Sequence, residues 1–148
     1  MIIPIVMSSV ISLLPMSSEY AAAHSVEATD RKGFETSLYQ GTWYSPKWRD
    51  VRKCVMKRES HYRYSARNKT SSAMGAYQFL DRVWRDSLVW MMLKESNDTN
   101  DNLQSEARKL RNKPIAQWNR YWQDRAFYTA WQHGKGKAHW YHHGIKCF

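Results

Sequence analysis

A mainly α-helical single domain is what this chain predicts, on three observations. Apolar residues recur at helical spacing in four stretches. Three of these open on residues suited to begin a helix: Ser45-Pro46, Asp81 and Pro114. With 148 residues, the chain has room for one core.

The first helix is expected from about Pro46 to Ser60, with Ser45 as N-cap and Pro46 at the first helical position. Trp48, Val51 and Val55 fall at i, i+3 and i+7, and Glu59 and Tyr62 continue the line at i+11 and i+14. Glu59 thus lies on a stripe that should face the core. A carboxylate there is costly to ionise, so its pKa is expected to rise, as a general acid at neutral pH requires. Lys57, Arg58 and Arg63 would oppose that rise if they approached it. Residues 61–76 are polar and loop-like, with room for a short irregular hairpin. Asp81 should cap a second helix, to about Glu95, carrying Trp84, Leu88, Met91 and Met92. Ser96 to Asn102 is a polar turn. Leu103, Ala107 and Leu110 give a short third helix. Pro114 should open a fourth, ending near Gly134, with Ile115, Trp118, Trp122 and Ala126 on one face. The spacing of Trp84, Trp118 and Trp122 marks them as core. The tail from Gly134 is glycine-rich, basic and aromatic.

Charge and composition narrow the partners. The net charge is +10, from 23 Lys+Arg against 13 Asp+Glu. That favours a polyanion: nucleic acid, an anionic membrane, or a bacterial wall with acidic peptides and polymers. Eight Trp and nine Tyr exceed what a core this small needs, so some are expected to line a groove. Residues 2–16 are apolar and uncharged, and Ala21-Ala22-Ala23 fits a small-residue cleavage site. Residues 1–23 therefore read as a signal peptide, although no Lys or Arg precedes the apolar run; the alternative is an uncleaved hydrophobic tail. The run is too short, and too broken by Pro4 and Pro15, for a stable membrane span. Residues 24–44 read as a partly disordered arm, and 45–148 as the functional domain. In an exported protein Cys54 and Cys147 would pair, closing a loop worth about 4–5 kcal/mol in the chain-entropy model; in the cytosol they would be free thiols.

One constellation is specific. Glu59-Ser60 is followed by a polar loop containing Tyr64, Ala66 and Asn68, then by Gly75-Ala76-Tyr77-Gln78-Phe79-Leu80 and Trp84. This resembles the catalytic core of lysozyme-like muramidases, above all lytic transglycosylases and the transglycosylase-like domain of resuscitation-promoting factors. Gln123-Asp124 with Ala126, then Gly134, Gly136, Trp140 and Cys147, resembles the end of the same domain. The resemblance spans about residues 48–147 and is specific between 54 and 84. It departs from the pattern at Asp81, where Pro is common, and in the polar segment 94–113. It implies a lysozyme-like domain with a small hairpin beside a cleft, acting on the β-1,4 bond between N-acetylmuramic acid and N-acetylglucosamine. It makes Glu59 the catalytic acid/base. Ser60, Tyr77, Gln78, Phe79, Trp140 and Tyr141 become candidate substrate-binding residues. Gln78 offers both donor and acceptor to an N-acetyl sugar, and the aromatic rings offer stacking walls, with core packing the competing role.

Glycosidases ordinarily use two carboxylates. Asp50 and Asp81 are the candidates for a second, and no spacing rule places either. A one-carboxylate lytic transglycosylase is therefore expected over a hydrolytic muramidase. The partner would be peptidoglycan glycan strands, with no nucleic acid, no cofactor and a monomeric chain, exported, wall-associated or phage-borne. Rival classes are a non-catalytic wall-binding protein and a basic nucleic-acid binder. His139, His142 and His143 lack a Cys or acidic partner at ligand spacing, so no metal is expected. A thiol enzyme using Cys54 with a histidine is disfavoured by its place inside a helix.

Overall fold

The computed structural model describes residues 18–24, 36–141 and 146–148. Among them the chain is mainly helical: α1 (Ser18–Ala23), α2 (Arg49–Ser60), α3 (Asp81–Thr99), α4 (Gln104–Lys109) and α5 (Arg120–Trp131). Single 3-10 turns at Pro46–Trp48, Leu110–Asn112, Ile115–Gln117, Gln132–Gly134 and Lys137–Trp140 join or extend them. The only described sheet is a hairpin, β1 (Ala73–Met74) antiparallel to β2 (Phe79–Leu80), with Ala73 opposite Leu80 and Met74 opposite Phe79. Its first strand lies inside the segment 61–76, where the sequence left room for a hairpin, and its second just beyond it. No described helix is long and apolar enough to cross a membrane.

Helix α5 is the axis of the molecule. All twelve of its residues are buried, including Arg120, Gln123, Asp124, Arg125 and Thr129. A helix enclosed on every side has no solvent face on which to place charge, so its charged groups must find partners inside, while the buried Thr129 hydroxyl has no hydrogen-bond partner among the described residues. Asp124 accepts hydrogen bonds from Arg52 (3.1 and 3.2 Å to its two oxygens), from the Tyr64 and Tyr77 hydroxyls (both 2.6 Å) and from the Leu38 amide (3.2 Å). Burial, with Asp124 adding to it, holds the Tyr64 phenol well above its ordinary pKa. Burial does the same for Tyr77, where Asp124 offsets the lowering by Arg52. Both hydroxyls therefore stay protonated and donate. Burial works against the charge on Arg52, but Asp124 and the surrounding phenols outweigh it and raise its pKa. A second buried cluster adjoins the first. Glu95 of α3 takes the Tyr39 hydroxyl (2.5 Å), the Thr42 amide (3.1 Å) and Arg125 Nε (3.1 Å), and Arg125 also reaches Asp101 (3.0 Å).

Several boundaries move from those expected. The fourth helix begins at Arg120, not Pro114: Ile115–Gln117 is a 3-10 turn and Trp118 is extended. The Trp118 indole donates to the Leu110 and Lys113 carbonyls, which holds it back on the preceding turn, and the Asn119 side chain caps α5 at the Trp122 amide. Asp81 is the first residue of α3 and not its cap; its carboxylate reaches sideways to the Ile115 amide and Arg85. α3 continues to Thr99 because Glu95 and Ser96 are buried and still have work inside the protein. The expected arm is only partly outside the described residues. Residues 36–44 belong to the packed domain, with Ser37 and Tyr39 buried, so its boundary lies before Ser45.

Of the segment read as a signal peptide, residues 1–17 lie outside the described residues. Its end forms α1, which lies on α5: Tyr121 donates to Glu19 (2.7 Å), and Asn119 donates to the Ala23 carbonyl (2.7 Å). Cys54 and Cys147 form a disulfide, Cα atoms 5.5 Å apart, that ties α2 to the C-terminal end across 93 positions of sequence.

Replacing Asp124 with Asn would leave the buried Arg52 guanidinium without its counter-charge. Loss of one partner from a buried ion pair costs about 3–5 kcal/mol. Urea unfolding of Asp124→Asn should show a loss of that size with folding still cooperative, and an unchanged midpoint would refute the central role given to this contact.

Candidate active site

Glu59 is the penultimate residue of α2, whose buried face is Arg52, Val55, Met56 and Ser60. The stripe read from sequence is therefore offset by about one position. Val55 is fully buried, Trp48 and Val51 are half-buried, and Glu59 sits at the edge of the face with 15% of its side chain exposed. The helix stops one residue later because His61 and Tyr62 both adopt left-handed backbone, and their amides return to Lys57 and Met56. Tyr62 is thus past the helix and not on its stripe.

A carboxylate near a helix C-terminus faces the negative end of the helix dipole. Arg58 offsets this: its Nη2 and Nε lie 2.8 and 3.0 Å from Glu59 Oε1. The same Nη2 donates to the Trp140 carbonyl at 2.7 Å, which braces the guanidinium against the C-terminal segment. Of the three neighbouring cations flagged in the sequence, Arg58 makes this contact.

Ser60 joins Glu59 to the hairpin. Its hydroxyl lies 2.8 Å from the Ala76 carbonyl and 3.2 Å from the Met56 carbonyl, and it accepts the Arg63 amide. The other side of the turn is held by α5. Gln123 Oε1 accepts the Ala76 amide (2.8 Å), while Gln123 Nε2 donates to the Tyr64 and Trp118 carbonyls. Gly75 is required here. Its φ is +83°, and a Cβ would stand 2.5 Å from Gln123 Oε1. Gln78, also at positive φ (53°), folds its amide back onto the Gly75 carbonyl (3.0 Å) and is half-buried.

The candidate sugar-binding residues separate into two groups. Ser60, Tyr77, Phe79 and Trp140 are buried, at 2%, 1%, 6% and 2% exposure. Tyr77 stacks on Phe127 of α5 (4.7 Å), Phe79 meets Trp140 edge-on (5.4 Å), and the Trp140 indole donates to the Tyr77 carbonyl (3.0 Å). In this conformation these rings are the wall behind the hairpin and offer no face to a ligand. Tyr141, at 55% exposure, does offer one. Glu59, Gln78 and Tyr141 are thus the accessible members of the set.

Neither candidate second acid stands beside Glu59 as a free partner. Asp81 is buried, with its oxygens engaged by the Ile115 amide and Arg85. Asp50 is exposed on the first turn of α2. Nine residues of helix, about 13 Å of axial rise, separate it from Glu59. Cys54 is consumed in the disulfide and has no thiol to offer. His142 and His143 lie outside the described residues, and His139 packs edge-on against Trp84 (4.7 Å).

Sequence reasoning did not anticipate Arg52 as the interior anchor of α2, nor Glu95 and Arg125. An Arg inside an otherwise apolar helical face was the available signal for the first. For Arg125, the sign was a charge within a run so rich in aromatics that no exposed face was left for it.

Ser60→Ala removes the hydroxyl between helix and hairpin and leaves a buried carbonyl under-satisfied, at about 1–3 kcal/mol. Thermal unfolding should show that loss, with hydrogen exchange at residues 73–80 rising more than in α5; equal change in both would contradict a local role. Against known proteins the chain stands without a match: no family model, curated protein or solved structure matches it.

Proposed function

We propose that this chain is a lysozyme-like enzyme of the bacterial wall, cutting the β-1,4 bond between N-acetylmuramic acid and N-acetylglucosamine with Glu59 as acid/base. The observation that carries this reading is the Ser60–Ala76 contact. It joins the Glu59-Ser60 helix end to the Gly75–Phe79 turn, the two sequence features on which the resemblance rests. A partly exposed carboxylate beside a rigid hairpin is an arrangement suited to a bound sugar strand.

Arg58 holds the Glu59 carboxylate through Oε1, and that carboxyl group is assigned to carry the transferred proton. As acid, Glu59 protonates the leaving glycosidic oxygen. As base, it then takes the proton from the C6 hydroxyl of the muramic residue, which closes onto C1 as the 1,6-anhydro product. This route needs one carboxylate. It fits the distance of Asp50 and the prior engagement of Asp81, since a two-acid glycosidase needs its pair about 5–9.5 Å apart. The disulfide fits an oxidising compartment and hence an exported or wall-associated protein.

Glu59→Gln keeps shape and removes the titrating group. It should abolish turbidity loss of purified walls with unfolding unchanged, and lysis near the parent rate would remove Glu59 from the mechanism. In digests by the parent protein, released muropeptides should be about 18 mass units lighter than hydrolysed ones, because no water is added across the bond. Reducing ends alone would make the enzyme a hydrolytic muramidase.

A further inference from the structure

Beyond Glu59, the C-terminal end of the molecule holds a groove of about 560 Å³. That lies in the range of about 300–1,000 Å³ typical of sites for small ligands. Trp48, Tyr141 and Phe148 supply its accessible aromatic surface over the buried ring of Trp131, and Lys135, Lys137 and Lys146 supply its charge. None of the described lining residues is acidic. Lys47 adds a further cation over the Trp48 ring, 4.9 Å from its centroid.

The groove is built, not incidental. Gly136 lets the chain after α5 turn back hard against it, since a Cβ there would come within 1.8 Å of the Ala130 carbonyl. That turn brings Lys135 and Lys137, both exposed, to the groove. The disulfide fixes Cys147 to α2 and so holds its neighbours Lys146 and Phe148 at the groove. Phe148 and Trp48 each pack on Trp131, at 5.2 and 5.3 Å between ring centroids.

We propose that this groove binds a short acidic peptide: the carboxylate-bearing stem of the same wall strand whose sugar bond Glu59 cuts. The assignment rests on the reading of Glu59 given above. Three lines support it. The charged side chains of the lining are all cationic and complementary to carboxylates. The space suits a few residues, whereas a tracked single-stranded nucleic acid calls for an extended basic channel with successive stacking platforms. A chain of contacts also links the groove to Glu59: Arg58, which grips Glu59, binds the Trp140 carbonyl, and the next residue, Tyr141, lines the groove. A strand with its sugar at Glu59 could therefore lay its stem peptide across Tyr141 towards the lysines.

The test uses the full chain carrying Glu59→Gln, titrated with a disaccharide muropeptide with free carboxylates, its carboxamide counterpart, uncharged chitotetraose and oligothymidylate. The free-acid muropeptide should bind most tightly. Adding Lys135→Gln, Lys137→Gln and Lys146→Gln should weaken it about tenfold, as expected for several exposed ion pairs, and leave the carboxamide and chitotetraose unchanged. Equal affinity for acid and carboxamide, or no effect of the lysine changes, would overturn the proposal. So would oligothymidylate binding more tightly than the muropeptide with the same lysine dependence, which would assign the groove to nucleic acid. The two readings fail separately. Wall lysis retained by Glu59→Gln removes the catalytic assignment without changing the titrations. Unchanged titrations beside an inactive Glu59→Gln remove only the groove.

Discussion

The contact between Arg52 and Asp124 is the constraint around which the rest of the molecule is arranged. Asp124 lies in the middle of a helix with no exposed residue, and its carboxylate is shared among α2, the loop after it, the hairpin turn and the segment before Trp43. Buried charge is tolerated only when its hydrogen-bonding positions are filled. Here the filling groups come from four separate parts of the chain. Each is thereby fixed relative to the others at the level of single bonds, more tightly than apolar packing alone would hold them.

That arrangement explains how a short hairpin can be rigid. Two residues per strand give little stability on their own. The turn is instead clamped from both sides: Ser60 holds the Ala76 carbonyl, Gln123 holds the Ala76 amide, and the Tyr77 hydroxyl is bonded to Asp124. The residues flanking Glu59 are therefore positioned by α5, although none of the α5 side chains is itself exposed. Aromatic rings of the same turn extend the clamp through Phe127 to Trp140, and the Trp140 carbonyl returns to Arg58.

Much of this was legible from local chemistry. The polar segment 61–76 led into the hairpin, and the spacing of Leu88 and Met92 placed them correctly inside α3, whereas Ser45-Pro46 marked only a 3-10 turn: Ser45 makes no side-chain cap, and the α-helix starts at Arg49. Cys54 and Cys147 paired as an exported chain would require. What could not be read were features decided by distant partners. Arg52 and Asp124 each look like surface residues until the other is placed beside them. Trp118 continued a helical pattern, yet its indole preferred two carbonyls of the preceding turn. For the candidate site, Glu59 was singled out because it interrupts an apolar line, which the structure shifts by about one position to leave Glu59 at the edge of the buried face, whereas Tyr77 and Trp140 could be assigned to a surface or a core only once their neighbours were known.

The span of the Asp124 contacts also bears on how the chain reaches its structure. Its partners lie 47, 60, 72 and 86 positions upstream. A ribosome delivers the chain from the N-terminus, so the segment around Leu38, α2, the loop after it and the hairpin turn must wait, without their shared anchor, until α5 has emerged. Contacts this far apart in sequence carry a large loop-closure cost and slow folding. Stable folding of these segments is thereby postponed until α5 has joined them, so the element that completes the core also sets when the core can close.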